Sequence, residues 1–295
     1  MALAQAYGVL LTDGWPLLGV RARAADGPPP DLSSRAMPLV LTEDRGAVRH
    51  VVLNRPQKRN ALSTELIEEL GDVLRAAASD TAVRCLVLRA EGTMFSSGMD
   101  ADDLARIAED PETLRDWRER ILSIWNLCDH MAKPTIAQIH GACLGGAAEL
   151  ALACDLRVVA ADATIGLVET RIGLVPDLGG CSRLPAIVGL GRAKELIMAS
   201  RFVDGVEAER IGLANRVAPA GELAAATDLL VGELLACAPL AVGLAKAIIG
   251  ASALPALADT LEEEVTAQEL CATSEDFVEG VQAFSQRRLP QFRGR

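Results

Sequence analysis

The stretch HGACLGGAAELALACD, residues 140–155, sets the tightest limit on what this chain can build. A run of Gly and small residues opens an apolar helical segment. One carboxylate, Glu149, stands inside it, with Ala147, Ala148, Leu150, Ala151, Leu152 and Ala153 as neighbours. Burying an unpaired carboxylate costs several kcal/mol or forces its pKa upward, so an acid here needs a reason. A second acid, Glu169, follows 20 residues later in IGLVETRIGLVPDLGG. Both acids are expected to face one ligand pocket.

The segments around this stretch read as alternating strands and helices. PLVLTED and AVRHVVLN alternate and meet at Asp44-Arg45-Gly46, a β-hairpin pattern. NRPQKRNAL, from Asn54 to Leu62, is a basic, Pro-broken loop, and Ser63 then caps a helix with Leu66, Ile67, Leu70, Val73 and Leu74 at helical spacing. VRCLVLRA, TIAQIH and DLRVVAAD are short apolar runs of buried-strand length. Residues 101–131 carry helical periodicity, interrupted near Asp110-Pro111. From Gly180 onward the pattern is helical throughout, with NRVAP as one short extended piece. The order specifies an α/β fold with a parallel sheet. The expected division is an N-terminal extension over 1–37, loosely attached, an α/β core over 38–220, and a C-terminal helical region over 221–295.

Composition narrows the function classes. Half of the 295 residues are hydrophobic and the formal net charge is −11, which argues against a nucleic-acid binder with a basic face. No apolar run reaches the roughly 18 to 20 residues that span a bilayer, so no membrane partner is expected. Seven Cys without a CxxC read as small core residues in a reducing, cytoplasmic compartment. Three isolated His give no metal pattern. The start MALAQAYGVLL lacks a basic n-region and is a poor signal peptide.

The chemistry follows from the Gly pair. Gly145 and Gly146 sit at the expected N-terminus of the Glu149 helix, where uncovered N–H groups and the helix dipole favour an oxyanion. The loop Phe95–Asp100, with Ser96, Ser97 and Gly98, is placed after a buried strand to bring a second N–H donor. Two donors on one carbonyl oxygen make an oxyanion hole. A carboxylate beside a carbonyl so polarised is placed for proton transfer at the α or β carbon, and two neighbouring acids split into an acid form and a base form. On the residues alone the alternatives stay open. The glycines equally suit close helix–strand packing, Glu149 suits a structural pair with Arg157 or Arg171, and Asp177 suits a turn after Pro176.

The motifs NRPQKRNAL, FSSGMD, KPTIAQIHGACLGGAAELALACDLRVV, GLVETRIGLVPDLGGCSRLP, ERIGLANRV and EGVQAFSQRRLPQF, in this order, resemble the enoyl-CoA hydratase/isomerase (crotonase) superfamily. The resemblance implies the ClpP-like spiral of ββα units with a C-terminal helical trimerisation region. It implies an acyl-CoA thioester substrate, no cofactor beyond the coenzyme A carried by the substrate, and a homotrimer or dimer of trimers. The oxyanion donors fall on the backbone N–H groups of Met99 and Gly146, and the hydratase acid/base pair falls on Glu149 and Glu169. Arg55 and Lys58 become candidates for the CoA phosphates, Ser97, Gly98, Asp100 and Gly145 line the substrate, and Phe284 completes the CoA pocket. Asp177 departs from the plain hydratase pattern, since dienoyl-CoA isomerases carry an acid there. Hydration of a trans-2-enoyl-CoA is the leading expectation, double-bond isomerisation of an enoyl-CoA or 3,5-dienoyl-CoA through Glu169 and Asp177 is the alternative, and a non-catalytic member of the superfamily stands behind both.

Overall fold

A computed structural model describes residues 37–295. The extension expected over 1–37 therefore lies, except for Met37, outside the described residues. The hairpin forms as the alternation predicts: β1 (Val40–Arg45) pairs antiparallel with β2 (Val48–Leu53), and Gly46 supplies the positive φ of the turn, +61°. Beyond it come α1 (Thr64–Ser79), capped by the Ser63 side chain, and β3 (Cys85–Ala90). Helices α2 (Ala101–Glu109) and α3 (Leu114–His130) are separated by a single 3₁₀ turn at Pro111–Thr113, where the Asp110-Pro111 break falls. Then follow β4 (Thr135–Ile139), β5 (Ala142–Leu144), α4 (Gly146–Ala153), β6 (Leu156–Ala160) and β7 (Thr164–Gly166). A 3₁₀ turn, Glu169–Ile172, leads to α5 (Gly180–Val188) and α6 (Leu190–Met198). Next are β8 (Val203–Asp204), α7 (Gly205–Arg210) and β9 (Arg216–Ala218). Four helices close the chain: α8 (Leu223–Leu235), α9 (Pro239–Ala253), α10 (Leu257–Ala272) and α11 (Glu275–Ser285).

Two sheets organise these elements. The larger has the order β1-β2-β3-β4-β6-β9 and is parallel from β2 onward. Its central strands are buried along nearly their whole length, and for that reason they read as continuous hydrophobic runs. Edge strand β1 exposes Glu43, Asp44 and Arg45, charges that discourage pairing with another chain. The second sheet, β5-β7-β8, was not legible in the sequence. Its strands have two or three residues, too few to show alternation. The stretch after Gly180 is accordingly not helical throughout, since β8 and β9 interrupt it, the latter at the expected NRVAP.

The second sheet positions the site. The loop leaving β3 forms an isolated parallel bridge, Ser96 with Cys143, and a second one joins Leu62 with Met99. Ser96 N–H donates to Ala142 O (3.0 Å), and Leu144 N–H donates to Ser96 O (3.2 Å). The FSSGM loop therefore runs alongside the entry to α4. The C-terminal helices dock through a small core of Ile107, Leu114, Leu174, Ala272 and Phe277. Phe277 is fully buried there; truncating such a side chain costs about 3–5 kcal/mol. Among the described residues no single helix is long and apolar enough to cross a membrane.

Candidate active site

The Gly pair turns the chain from β5 into α4. Gly145 has φ +54° and ψ −131°, a conformation that only Gly adopts without strain. Its amide donates to Gly166 O (2.9 Å), which ties the turn to β7. Gly98, at φ +93°, approaches Leu144 so closely that a Cβ would stand 2.7 Å from its carbonyl oxygen. At Gly146 a Cβ would stand 2.6 Å from Met99 Sδ. The two turns thus lie against each other. Among the described residues, the amides of Met99 and Gly146 donate to no acceptor. Two unengaged N–H groups in adjacent turns, one of them at a helix N-terminus, are suited to a single developing oxyanion.

Three acids expected from the sequence come together beside these turns, and a fourth joins them. Glu149, Glu169, Asp177 and Glu264 are 1%, 8%, 7% and 5% exposed, so their charges are nearly desolvated. Glu149 leaves the first turn of α4, and its Oε1 accepts from the amides of Leu178 (2.8 Å) and Gly180 (2.9 Å). Among the described residues Glu149 is engaged by these amides, and the two arginines considered for it are engaged elsewhere. Arg157 donates to the carbonyls of Leu213, Ala151 and Cys154, and Arg171 donates to Ser200 O and lies over the Phe202 ring. Glu169 opens the 3₁₀ turn on the other side of the glycines, and a Cβ on Gly145 would meet its Oε1 at 3.1 Å. Its Oε2 is buried with no hydrogen-bond partner among the described residues.

Burial pushes the Glu149 carboxyl well above the usual carboxylate range, and the charges of Glu169, Asp177 and Glu264 add to it. Burial also raises Glu169 to about 8, with Asp177 contributing. Asp177 rises to about 7, again chiefly through burial, against the pull of Arg118 and with the push of Glu264. The hydrogen bonds break the symmetry of the first two. Two amides donate to one oxygen of Glu149, whereas Glu169 leaves its Oε2 without a partner among the described residues.

Asp177 is more than a turn residue. Its Oδ1 accepts from Gln268 Nε2 (3.2 Å), and its Oδ2 lies 3.8 Å from Arg118 Nε. Arg118, Glu264 and Gln268 were missed in the sequence because they lie on α3 and α10, far along the chain from Glu149. A signal did exist: positions 261, 264, 265, 268 and 272 form the buried stripe of α10, and two of the five are polar.

The expected ligand contacts divide. Arg55 forms an ion pair with Asp100 and donates to Ala61 O (3.1 Å). Although burial opposes it, the Arg55 hydrogen bond holds Asp100 below its usual range. Asp100 also caps α2, accepting from Asp102 N–H at 2.9 Å. These two residues fasten the loop together, so Arg55 is anchored here rather than extended toward solvent. Lys58 is exposed at the end of its 3₁₀ turn. Ser97 donates its amide to Arg59 O (3.0 Å), with its side chain partly exposed. Phe284 is 46% exposed on the outer face of α11. Among the described residues no group of three or more His, Cys, Asp or Glu is arranged to hold a metal ion.

The family model described as enoyl-CoA hydratase/isomerase matches residues 43–295. The chain belongs to that family. It is 37% identical over 270 residues to methylglutaconyl-CoA hydratase, mitochondrial, of Mus musculus, covering 86% of this chain and 85% of the relative. It is 35% identical over 259 residues to the enoyl-CoA isomerase/hydratase fer4 of Mycosarcoma maydis, covering 84% and 93%. Among solved structures, an enoyl-CoA hydratase from Mycobacterium avium subsp. paratuberculosis K-10 superposes with a TM-score of 0.77 at 30% identity, covering 86% of this chain and 98% of that one. The crotonase fold expected from the motifs is therefore the observed one. The acyl-CoA chemistry of this enoyl-CoA hydratase/isomerase family is the frame in which the four acids are to be understood.

Proposed function

We propose that this chain hydrates a trans-2-enoyl-CoA to a 3-hydroxyacyl-CoA. The observation that carries the proposal is the pairing of Glu149 and Glu169 across the Gly145 turn, next to the two unengaged amides. In this reading the thioester carbonyl lies on the Met99 and Gly146 N–H groups. Ionised Glu149 takes a proton from water as the hydroxyl adds to Cβ. The electron pair of the double bond moves onto the thioester as an enolate held by the two amides, and protonated Glu169 delivers its proton to Cα. The thioester is the electron sink, so no further cofactor is required. Each oxyanion donor contributes about 3 to 4 kcal/mol of barrier lowering in such sites. The test is a panel of enoyl-CoA thioesters of varied chain length, with methylglutaconyl-CoA included because of the relatives, followed by mass spectrometry. Gain of one water is expected for at least one member; no gain across the panel refutes the proposal.

A second reading is favoured by Asp177, which is buried close enough to raise Glu169 electrostatically. Here Glu169 and Asp177 move a proton between carbons of a 3,5-dienoyl-CoA without adding water. Asp177→Asn then abolishes that isomerisation and leaves hydration intact; a variant unaffected on every substrate excludes it. We further propose a homotrimer or dimer of trimers, supported by the exposed apolar side chains Leu240, Leu244, Ile248 and Ile249 on α9, and testable by light scattering. The seven free cysteines support a reducing, cytoplasmic setting.

A further inference from the structure

The segment from Val175 to Ser182 is held from two sides by carboxylates that use alternate amides. From α4, Glu149 takes the N–H groups of Leu178 and Gly180. From α10, Glu264 takes those of Gly179 (2.9 Å, to Oε2) and Ser182 (2.6 Å, to Oε1), and the Ser182 hydroxyl also donates to Oε1. One turn farther along α10, Gln268 Oε1 accepts from Val175 N–H (2.9 Å) while its Nε2 donates to Asp177. Arg118 of α3 closes the arrangement. It donates to Asp177 O (2.8 Å) and to Leu261 O (2.6 Å), and it stands 4.0 Å from Glu264 Oε2.

A purely structural buried acid would have been replaced at lower cost by an apolar residue on the same stripe of α10, because desolvating a carboxylate is expensive. What Glu264 gives in return is a fixed loop. The amides that receive Glu149 keep their direction when the Gly179 amide between them and the Ser182 amide just beyond are also held. We propose that Glu264 is a positioning residue for Glu149, acting from the C-terminal helical region through the Val175–Ser182 loop. The proposal rests on the role given above to Glu149. Glu264 touches no reacting atom. It sets the direction of the two N–H groups that orient the base.

Glu264 also shapes the field at Glu149. The groups facing that carboxylate are Glu169 from the 3₁₀ turn, Asp177 and Cys181 from the loop and the start of α5, and Glu264 from α10; Arg118 from α3 faces Asp177 and Glu264. Neutralising Glu264 removes one like charge. The Glu149 pKa then falls, and the acid limb of the rate profile moves to lower pH.

The test is Glu264→Gln in the full-length chain, with Glu263→Gln, an exposed acid on the same helix, as the charge control. Gln retains one acceptor but presents an amide to a second donor, so one anchor of the loop is lost. Hydrogen exchange is expected to rise about tenfold or more at Leu178 and Gly180, the loss typical of one charge-assisted hydrogen bond. On the hydrated substrate kcat falls about tenfold or more, KM stays within about threefold, and the acid limb moves down. Ser182→Ala, which removes one donor and keeps the acid, gives a smaller change in the same direction and remains informative where Glu264→Gln fails to fold. Unchanged exchange at Leu178 and Gly180 in both variants overturns the proposal, as does a loss of activity that only tracks the folded fraction with an unmoved pH profile. A wild-type chain that hydrates nothing refutes the hydration reading alone, because amide exchange still decides the role of Glu264.

Discussion

Replacing Glu149 by Gln separates the chemistry of this site from its architecture. Both loop amides donate to the same oxygen, Oε1, at 2.8 and 2.9 Å. A Gln whose carbonyl oxygen occupies that position keeps both bonds, because a carbonyl has two lone pairs. The amide nitrogen then replaces Oε2, the oxygen that takes a proton from water in the proposed hydration. The substitution also removes a charge from a side chain only 1% exposed, next to three other acids, and relieving such a charge is neutral to stabilising. Thermal stability should therefore stay equal or rise. Loss of a general base costs a factor of about 10² to 10⁴, or roughly 2.7 to 5.4 kcal/mol in barrier. The assay is loss of enoyl-thioester ultraviolet absorbance under saturating substrate, paired with a melting curve on the same preparation. An Asp at this position would be too short to reach both amides, so Glu149→Asp should lose both activity and stability. The reasoning is refuted if Glu149→Gln retains activity within threefold of wild type, or if its activity falls only as its folded fraction falls.

The pH dependence of stability follows from the same acids. Their folded pKa values are raised, Glu169 to about 8 and Asp177 to about 7, so their contribution is fully present below the unfolded carboxylate range near 4.5 and is lost as pH rises through 7 to 8. Melting temperature should fall across that window in differential scanning fluorimetry, and Glu169→Gln should flatten the fall; a curve rising through the window contradicts the assignment. Gly146→Ala places a methyl 2.6 Å from Met99 Sδ; it should displace the paired amides and lower kcat about tenfold or more, with circular dichroism little changed. Gly180→Ala meets Pro176 Cβ at 2.4 Å and Glu149 Oε1 at 2.9 Å, so it should cost stability, in the range of about 1–3 kcal/mol for overpacking, and lose activity beyond that, as measured by denaturant melts alongside turnover.

What the sequence revealed depended on whether a signal was local. The β1–β2 hairpin and the Ser63 cap rest on residues within a few positions of one another, and periodicity exposes such contacts. The strands β3, β4 and β6 showed as apolar runs because almost every residue in them is buried. Strands β5, β7 and β8 could not show, since two or three residues carry no period; Cys143 and Leu144 look like the approach to a helix until the bridge from Ser96 is seen. At the site, Glu149 stood out because it is a charge inside an apolar segment. Glu264 is also buried, yet it sits in LEEEVTAQEL among more exposed glutamates, and composition hides it. Arg118 is likewise one of several basic residues on α3. Their common role emerges only when three distant helices converge on one loop.

That loop has a further consequence. Its backbone is gripped through the amides of 175, 178, 179, 180 and 182, while the side chain at 177 reaches Gln268 and Arg118 and neither gripping carboxylate. Residue 177 is thus an exchangeable head in a fixed chuck: the acid can be swapped without loosening either carboxylate that grips the loop from α4 and α10. In an enoyl-CoA hydratase/isomerase family, single substitutions at such a position change the charge beside Glu169 while leaving Glu149, Glu169 and the amides of Met99 and Gly146 where they are.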